Sequence, residues 1–382
     1  MYSYEISELV DFDYWNTLLQ NVDYSTLFQT ADYLDYESAS GDRFPLFIKI
    51  RNEKKEIIGQ LGVVIVKSTN AYSSPFLQQF LNIFSGLGTR ALWAGGPIIH
   101  SNDPKIRLDV LKEIIKALER IAMQYNLALI SGYTPHQDLN IEDSYLNSFK
   151  TENYSIENFL TFAIDLTLDE ETIWNGIDKN ARRDVSRAEK RGIFVKELES
   201  FEELKDYFSL AEKWAVTKGI SVKTSDEQII KYWKYYQRGI EKIFLAYDNN
   251  ELISTHRLGI FNKVIFSHRL TSSYAKATSL GGPLLVWHAI KWAKSKNMKF
   301  YDFSGGKAPP KDPEKHKEYL EKWGNLLAFK RKWGGIEFPY FQLIKVTKPK
   351  SYKLFRVISK PDWIYREYKK KRYNRRRKSL KF

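Results

Sequence analysis

Residues 281–306 read GGPLLVWHAIKWAKSKNMKFYDFSGG, and this stretch predicts a helix that runs directly into a strand. Pro283 suits the first turn of a helix, because the N–H group that proline lacks would have no intrahelical partner there. Asn297 is a plausible stop, and residues 299–303 alternate in the way of a half-buried strand. One apolar helix face is predicted to be buried, and it contains Leu285, Ala289, Trp292 and Ala293.

The predicted strand ends in Ser304-Gly305-Gly306, where the chain can turn sharply. This order of elements brings backbone amides and the last side chains of the strand to one sheet edge. Ligands of α/β proteins commonly bind at such an edge. We therefore expect the active site at this strand end, with contributions from Tyr301, Asp302, Gly305 and Gly306.

The same order of signals occurs once earlier in the chain. Gly95-Gly96-Pro97 is followed by a predicted helix at 104–125 and by a predicted strand at 127–131 that ends at Gly132. Two diverged copies of one α/β unit are therefore expected. The first copy is expected to lack the aspartate at the strand end and any equivalent of Phe329-Lys330. We therefore expect the chemistry in the second copy.

Three motifs in the second half of the chain point to a known family. They are YDFSGG at 301–306, Phe329-Lys330 with the following Trp333-Gly334-Gly335, and NARRDVSRAEKRG at 180–192. Together they resemble the Fem family, the peptidoglycan-bridge aminoacyltransferases of the GNAT acyltransferase superfamily. The resemblance is good across roughly 160–340. It implies a mixed α/β (α+β) fold of two tandem GNAT-like domains, each with a mixed central sheet flanked by helices.

The expected domains follow from this resemblance. Residues 1–160 form a first GNAT-like domain, which the C-terminal segment 341–368 joins, and 161–340 form the second, which carries the active site. Residues 369–382 form a basic tail. The charged segment 307–324 is expected to be a mobile cover over the site or a disordered crossover.

Amide formation from an activated acyl group needs a neutral amine, a pocket for the acyl carrier, and a cation or N–H donor where the carbonyl oxygen gains charge. Lys330 can supply that charge, and the matching lysine of the family is thought to act in this way. The alternative is a surface lysine in a basic loop. Asp302 could accept the proton of the amine, orient the amine, or form a structural ion pair with Lys330.

A predicted helix at 180–192, with Asn180 as its N-cap and Gly192 as its stop, carries a basic ridge of Arg183, Arg187 and Lys190 or Arg191. Arg182, Arg183 and Arg187 are the candidate substrate-binding residues of this helix. Arginine forks suit phosphate oxygens, and the resemblance associates this helix with a phosphorylated acceptor. The alternative is a solvated helix face. We also expect His268 and Arg269 to contact substrate, because family members often present an aromatic residue there.

The acyl donor is predicted from the segment before the central helix. GNAT enzymes that use coenzyme A typically have a Gln/Arg-x-x-Gly-x-Gly/Ala loop there, and this chain has ATSLGG at 277–282 without the basic anchor. The missing anchor and the positive charge favour aminoacyl-tRNA. A helix N-terminus can still bind the pyrophosphate of acyl-CoA through its backbone.

Three hypotheses remain open. The first is an aminoacyltransferase that moves an amino acid from its tRNA to an amine of a phosphorylated cell-wall precursor. The second is an acyl-CoA N-acyltransferase that acts on a sugar or peptide amine of an envelope polymer. The third is a GNAT-derived RNA- or membrane-binding protein without catalysis.

Composition limits these hypotheses. The chain has 382 residues, of which 43% are hydrophobic and 15% aromatic, so it should form a folded core. It has no cysteine, which excludes disulfides, cysteine-ligated metals and a thioacyl-enzyme intermediate. His256, His288 and His316 are spread singly without metal-ligand spacing, so we expect no metal site. No tightly bound cofactor is expected, because the acyl carrier would be a co-substrate.

Charge and hydropathy predict the location of the protein. No apolar run approaches the length of a transmembrane helix, and the acidic N-terminus is unlike a signal peptide, so a cytoplasmic protein is expected. The net charge is +14, and nine Lys or Arg residues lie in 369–382. Such a tail would be drawn to an anionic membrane or to RNA, since each basic residue near an acidic membrane contributes about 1 kcal/mol. The alternative is a solvated end.

Overall fold

The computed structural model describes residues 2–38, 42–67, 88–217, 224–272 and 280–357, and the chain divides into two compact units. Unit 1 consists of the described parts of Met1–Asn158 and Tyr340–Glu367, and unit 2 contains those of Phe159–Pro339. The basic tail at 369–382 lies outside the described residues, as do residues 277–279 of the segment before the central helix.

Strands and helices of the first copy follow one another in a simple order. They are β1 (Ser3–Ser7), α1 (Phe12–Gln20), α2 (Ala31–Glu37), β2 (Arg43–Arg51), β3 (Ile57–Val66), β4 (Arg90–Trp93), β5 (Ile98–Ile99), α3 (Pro104–Gln124), β6 (Leu129–Tyr133) and α4 (Asp143–Thr151).

The rest of the described chain begins with a long strand and a helix pair. Its elements are β7 (Ser155–Asp165), α5 (Glu170–Gly176), α6 (Lys179–Lys190), β8 (Phe194–Glu197), α7 (Phe201–Thr217), α8 (Asp226–Tyr236), β9 (Glu241–Asp248), β10 (Glu251–Phe261), β11 (Val264–Ser272), α9 (Gly281–Ser295), β12 (Phe300–Asp302), β13 (Gly306–Lys307), α10 (Pro313–Arg331) and β14 (Ile336–Val346).

The two units share one sheet topology. The order is β1-β2-β3-β4-β6-β14 in unit 1 and β8-β9-β10-β11-β12-β7 in unit 2. In unit 1 only β4 and β6 of this path run parallel, and in unit 2 the parallel pair is β11 and β12. A central helix joins each parallel pair, α3 in unit 1 and α9 in unit 2. The predicted duplication is therefore visible as a repeated order of elements.

The last strand of each sheet comes from outside the copy that it completes. Strand β14 follows the second copy but pairs with β6 of the first, with Leu343 opposite Gly132. Strand β7 follows the first copy and pairs with β12 of the second, with Ile164 opposite Tyr301. Each sheet is therefore completed by a strand that follows the other copy in sequence.

The central helix α9 is buried more completely than its predicted amphipathic pattern implies. Besides the expected face, Val286, Trp287 and Ile290 are buried, and His288 packs edge-on to the Phe244 ring at 4.8 Å. The reason is that α6 covers α9 on the side away from the sheet, through Ala181, Val185 and Ala188. A helix between a sheet and another helix has little exposed surface.

Two local predictions differ from the structure, and a third agrees with it. Most of 307–324 is neither a loop nor disordered, because α10 begins at Pro313, and the Asp312 side chain caps it by accepting a hydrogen bond from the Lys315 N–H at 3.0 Å. The N-cap of α6 is Asp178 and not Asn180, and its carboxylate accepts from the Asn180 N–H at 2.8 Å. Gly192 does end α6, with a φ of 78°.

The first copy also contains a Phe-Lys pair, contrary to expectation. Phe149-Lys150 lies near the end of α4, which occupies the same place in the order of elements as α10. Phe149 is buried, but Lys150 is exposed and its Nζ lies 3.2 Å from Asn147 Oδ1. No acidic residue of β6 corresponds to Asp302. The two copies therefore differ in the burial of this lysine and not in its presence.

Within the described ranges, no helix is both long enough and apolar enough to cross a membrane.

Candidate active site in unit 2

The parallel strands β11 and β12 stop pairing where the predicted site begins. They are in register over three positions, from Val264 opposite Phe300 to Phe266 opposite Asp302, and β11 then continues to Ser272. Ser304 turns the chain with a φ of 59°, and its hydroxyl donates to the Ser267 carbonyl at 2.8 Å. The sheet therefore opens at this edge, next to the backbone of Ser304 and Gly305.

Lys330 brings an ammonium group to this edge from the last turn of α10. Its side chain is buried, with 8% of the residue exposed, and Nζ donates hydrogen bonds to the Ser304 carbonyl and, at 3.3 Å, to the Gly305 carbonyl. Burial lowers the pKa of Lys330 to about 8, although the nearby Asp302 charge acts in the opposite direction. The site therefore holds a poorly solvated cation, near the negative end of a helix dipole.

Asp302 is fully buried and organises the turn that Lys330 contacts. Its Oδ1 accepts hydrogen bonds from the Thr161 hydroxyl and, at 2.7 Å, from the Ser304 N–H. The second bond holds Ser304 in a left-handed conformation that costs a serine some backbone energy. The carbonyl of Ser304 in turn accepts a hydrogen bond from Lys330. By holding the Ser304 turn, Asp302 therefore also orients the ammonium group of Lys330.

Tyr301 points away from Asp302, since successive side chains of a strand alternate between the two faces. It is fully buried in the core of unit 2, and its hydroxyl lies 3.2 Å from His256 Nε2. A side chain in that place does not reach a substrate. We therefore correct the expected role of Tyr301 from substrate contact to support of the strand.

His256 also lies close to a serine, because its Nε2 is 2.9 Å from Ser267 Oγ. Complete burial lowers the pKa of His256 to about 3. An imidazole with so low a pKa is a weak base, and it is poorly suited to take the proton of the Ser267 hydroxyl.

His268 belongs to a buried ion-pair cluster. Arg257 binds the Glu241 carboxylate with two nitrogens, at 2.9 and 2.6 Å, and the Tyr232 hydroxyl donates to it at 2.5 Å. His268 Nδ1 lies 3.3 Å from the same carboxylate. Burial would raise the pKa of Glu241, but Arg257 and His268 outweigh it and hold the pKa at about 2. The ring of His268 is thus oriented by a permanent charge.

The predicted arginines lie on α6. Arg183 is exposed, and Arg187 is also exposed and lies 3.7 Å from Asp184. Arg182 is half-buried, and its guanidinium donates to Asn175 at 3.4 Å. The chain around them is tied to α10, because the Asp178 N–H donates to the Lys332 carbonyl at 2.7 Å.

The predicted residues thus fall into three groups. Lys330, Asp302 and Gly305 are joined by direct contacts through Ser304, and Gly306 begins β13 opposite Leu160, one residue from Thr161. His268 belongs to the Glu241 cluster, whereas Arg269 is an exposed residue of β11. The arginines of α6 form a separate surface. Within the described ranges, no group of three or more His, Cys, Asp or Glu side chains could hold a metal ion.

Sequence reasoning missed the residues that support this site. Thr161 and Ser304 act on Asp302, and Glu241 and Arg257 orient His268. A threonine in the otherwise apolar run FLTFAI of β7 and an acid at the start of β9 were the available signals. Neither signal indicates which residue the side chain contacts, because the contacted residues lie on other strands.

Comparison with known proteins gives likenesses of structure only. No protein-family model matches the chain, and no curated protein matches it. The crystal structure of FemX is similar with a TM-score of 0.67 and 14% identity, covering 92% of this chain and 99% of FemX.

Two other solved structures extend the likeness. L-PGS from Bacillus licheniformis has a TM-score of 0.54 at 13% identity, covering 92% of this chain and 97% of that one. A tandem GNAT protein from the clavulanic acid biosynthesis pathway has a TM-score of 0.50 at 8% identity, covering 89% and 98%. At sequence identities this low, the similarity is evidence for the fold alone. With its repeated order of strands and central helices, the chain has the fold of FemX and of the tandem GNAT protein, in two tandem units.

Proposed function

We propose that the protein is an acyltransferase, and more closely an aminoacyltransferase. It would form an amide bond between an amino acid carried as its tRNA ester and an amine of a phosphorylated cell-wall precursor. The observation that carries the proposal is the buried ammonium of Lys330, held by two backbone carbonyls where β11 and β12 part. A Fem-like fold around this group supports it.

The reaction balances without a covalent enzyme intermediate. The amine nitrogen attacks the ester carbonyl carbon, so a C–N bond forms and the C–O bond to the terminal ribose of the tRNA breaks. The amine loses one proton and the ribose oxygen gains one. Between these events the carbonyl oxygen is negatively charged, and a cation in a dry site stabilises it more strongly than water would.

Lys330 has the donor capacity for this role. An ammonium group has three N–H donors, and the described contacts of Lys330 to Ser304 and Gly305 use two of them. The third remains for a substrate oxygen. Asp302 is then a positioning residue, because it acts on Lys330 through the Ser304 turn.

A phosphorylated acceptor is supported by the surface of α6. Arg183 and Arg187 are exposed one turn apart, where two guanidinium forks can bind phosphate oxygens together. Part of this charge is offset, since Asp184 lies near Arg187. We expect acceptor binding through this surface to weaken as salt is added.

A second candidate is acyl transfer from coenzyme A. It is favoured by the N-terminus of α9, where Gly281 and Gly282 are buried and no side chain among the described residues caps the helix, so that backbone N–H groups could bind a pyrophosphate. The third candidate, binding without catalysis, does not require a buried lysine with a lowered pKa.

The test uses purified full-length protein, a UDP-linked muramoyl peptide as acceptor, and either aminoacyl-tRNA or acetyl-CoA as donor. Mass spectrometry follows the new amide. Lys330→Met should lower the rate with the preferred donor by about 10²–10³, the range for a lost oxyanion donor. Lys332→Met is the matched control, because this lysine lies two residues away, over the Phe329 ring at 4.8 Å.

Each outcome selects one hypothesis. Transfer from charged tRNA alone supports the aminoacyltransferase, and transfer from acetyl-CoA alone supports the second candidate. Equal rates for the two methionine variants would refute the role of Lys330. RNA binding without transfer from either donor would leave the third candidate.

A further inference from the structure

Helix α10 exposes large apolar side chains on one face. Leu320, Trp323 and Leu326 are 45%, 43% and 46% exposed. At about 100° per residue they fall within a sector of roughly 120°, and Leu327 and Lys330 share that sector. Both of these later residues are buried. One face of the helix is therefore packed into unit 2 at its end. In the turns before, Tyr319 in the same sector still packs against the core, whereas Leu320, Trp323 and Leu326 are left largely exposed.

Charged residues are sorted around this face. Lys315 and Lys322 lie along one edge of the apolar sector, and Lys317 lies beyond the other edge. The acids of the same turns project from the opposite side of the helix: Glu314, Glu318 and Glu321. All six charged side chains are exposed. A helix that only needed to be soluble would not require lysines at the rim and glutamates on the far side.

We propose that this face of α10 docks on an anionic lipid surface. Leucine and tryptophan side chains would enter the boundary between headgroups and acyl chains, and the flexible lysine stems would carry their ammonium groups up to lipid phosphates. The glutamates would face water, away from the negative surface. Trp323 fits this place, since tryptophan is enriched at membrane interfaces, and Lys322 already lies 5.3 Å from its ring centroid.

The charge pattern is what selects a lipid surface as the occupant. An apolar protein partner would have no use for the lysine edges, whereas anionic headgroups complement them. The docking does not depend on the reaction assigned to Lys330, so the two proposals can fail separately.

The experiment measures co-sedimentation of the full-length protein with vesicles. One set contains phosphatidylglycerol in phosphatidylcholine, and the other contains phosphatidylcholine alone. The test variant is Leu320→Ser/Leu326→Ser. The matched control is Leu168→Ser/Ile230→Ser, because these two side chains are 46% and 47% exposed elsewhere in unit 2. Every protein keeps residues 358–382, so any contribution of the basic tail is the same throughout.

We expect the test variant to bind anionic vesicles about tenfold more weakly than the unaltered protein, because two apolar side chains no longer enter the interface. The control should bind like the unaltered protein. Lys315→Glu/Lys322→Glu should also weaken binding to anionic vesicles and should leave the weak binding to phosphatidylcholine unchanged. Thermal unfolding of each variant confirms that it is folded.

Two results would overturn the proposal. The first is equal binding of the test and control variants to anionic vesicles. The second is that the unaltered protein does not bind anionic vesicles, while the variant Leu320→Ser/Leu326→Ser, without lipid, has a different sedimentation coefficient from the unaltered protein. That change would assign the face to a second copy of the chain or to residues 358–382.

Discussion

Lys330 owes its position to a short series of contacts between neighbouring residues. Thr161 and the Ser304 N–H bind Asp302, and the carbonyl of Ser304 accepts from Lys330. Each contact is buried or nearly so. The lysine can therefore be protonated in a poorly solvated place. A change in any of these contacts should alter its pKa.

The pH dependence of transfer should reveal the form in which Lys330 acts. Its pKa is about 8, so the ammonium form dominates below that pH and is lost above it. We expect kcat/KM to fall as the pH rises through about 8, and this decline should be absent from the residual activity of Lys330→Met. A Lys330-dependent rate that instead increases above pH 8 would show a general base.

Replacements of Asp302 should separate a positioning role from proton transfer. The Oδ1 of asparagine can still accept from both Thr161 and the Ser304 N–H, whereas alanine accepts from neither. We expect Asp302→Asn to lose about tenfold in rate and Asp302→Ala to lose at least 10², by analogy with other lost active-site hydrogen bonds.

The pH profile supplies a further check on Asp302. Its charge raises the pKa of Lys330, so Asp302→Asn should move the decline in activity to lower pH. Equal losses in the two variants, with no shift of the profile, would indicate that Asp302 itself accepts the proton.

Helix α10 is held at its C-terminal end by a close contact with α5. Gly334 has a φ of 76°, and a Cβ atom at this position would lie 2.5 Å from the Gly176 carbonyl oxygen. The Asp178 N–H also donates to Lys332. The Trp-Gly-Gly motif after Lys330 thus anchors the helix that carries the lysine.

Two glycine variants should measure the contribution of this contact to stability. Gly192 has a φ of 78° with nothing within 4 Å of the added Cβ, so Gly192→Ala should cost only the left-handed backbone strain, about 1–2 kcal/mol. Gly334→Ala adds a steric clash and should cost about 1–3 kcal/mol more. Urea denaturation gives both free energies of unfolding. Equal losses of unfolding free energy in the two variants would mean that the backbone around Gly176 moves aside without cost.

Elements with local signals were predictable from the sequence, and those set by distant partners were not. The hairpin turns at Asn249-Asn250 and Asn262-Lys263 carry a local signal, because asparagine tolerates the positive φ that all four residues have. The start of α10 was missed, although Asp312-Pro313 is a helix-start signal, because the charged, proline-bearing segment was interpreted as a loop. Lys330 and Asp302 were identified through motif resemblance, whereas Thr161 needed the strand pairing.

At the scale of the whole chain, β7 and β14 are exchanged between the two copies. Each of these strands follows one copy in sequence and pairs with the sheet of the other. Phe341 and Thr134 are 207 residues apart, yet the Phe341 N–H donates to the Thr134 hydroxyl at 3.0 Å. The resemblance implied that segment 341–368 joins the first domain. It did not give the pairing of β14 with β6 or of β7 with β12, because pairing depends on the sheet that each strand meets. The core of unit 1 thus depends on a residue late in the chain, Leu343.

Core truncations at Leu343 and Leu285 should therefore affect different units, although both residues lie in the second half of the chain. Leu343→Ala should cost about 2–5 kcal/mol and weaken hydrogen-exchange protection in β6, since Leu343 is fully buried in unit 1. Leu285→Ala, in the core of unit 2, should weaken protection in β12 instead. Hydrogen exchange read by mass spectrometry checks both. Loss of protection in β12 but not β6 on changing Leu343 would contradict the strand exchange.

The exchanged strands also have a consequence during synthesis on the ribosome. Strand β6 is complete at Tyr133, but its partner β14 is translated only at Ile336–Val346. Until then the edge of β6 in the amino-terminal sheet has no paired strand. Nascent β7 likewise has no partner until β12 is translated. Open edges recruit other strands, so slow translation between these points should increase aggregation of the unfinished chain and its need for chaperones.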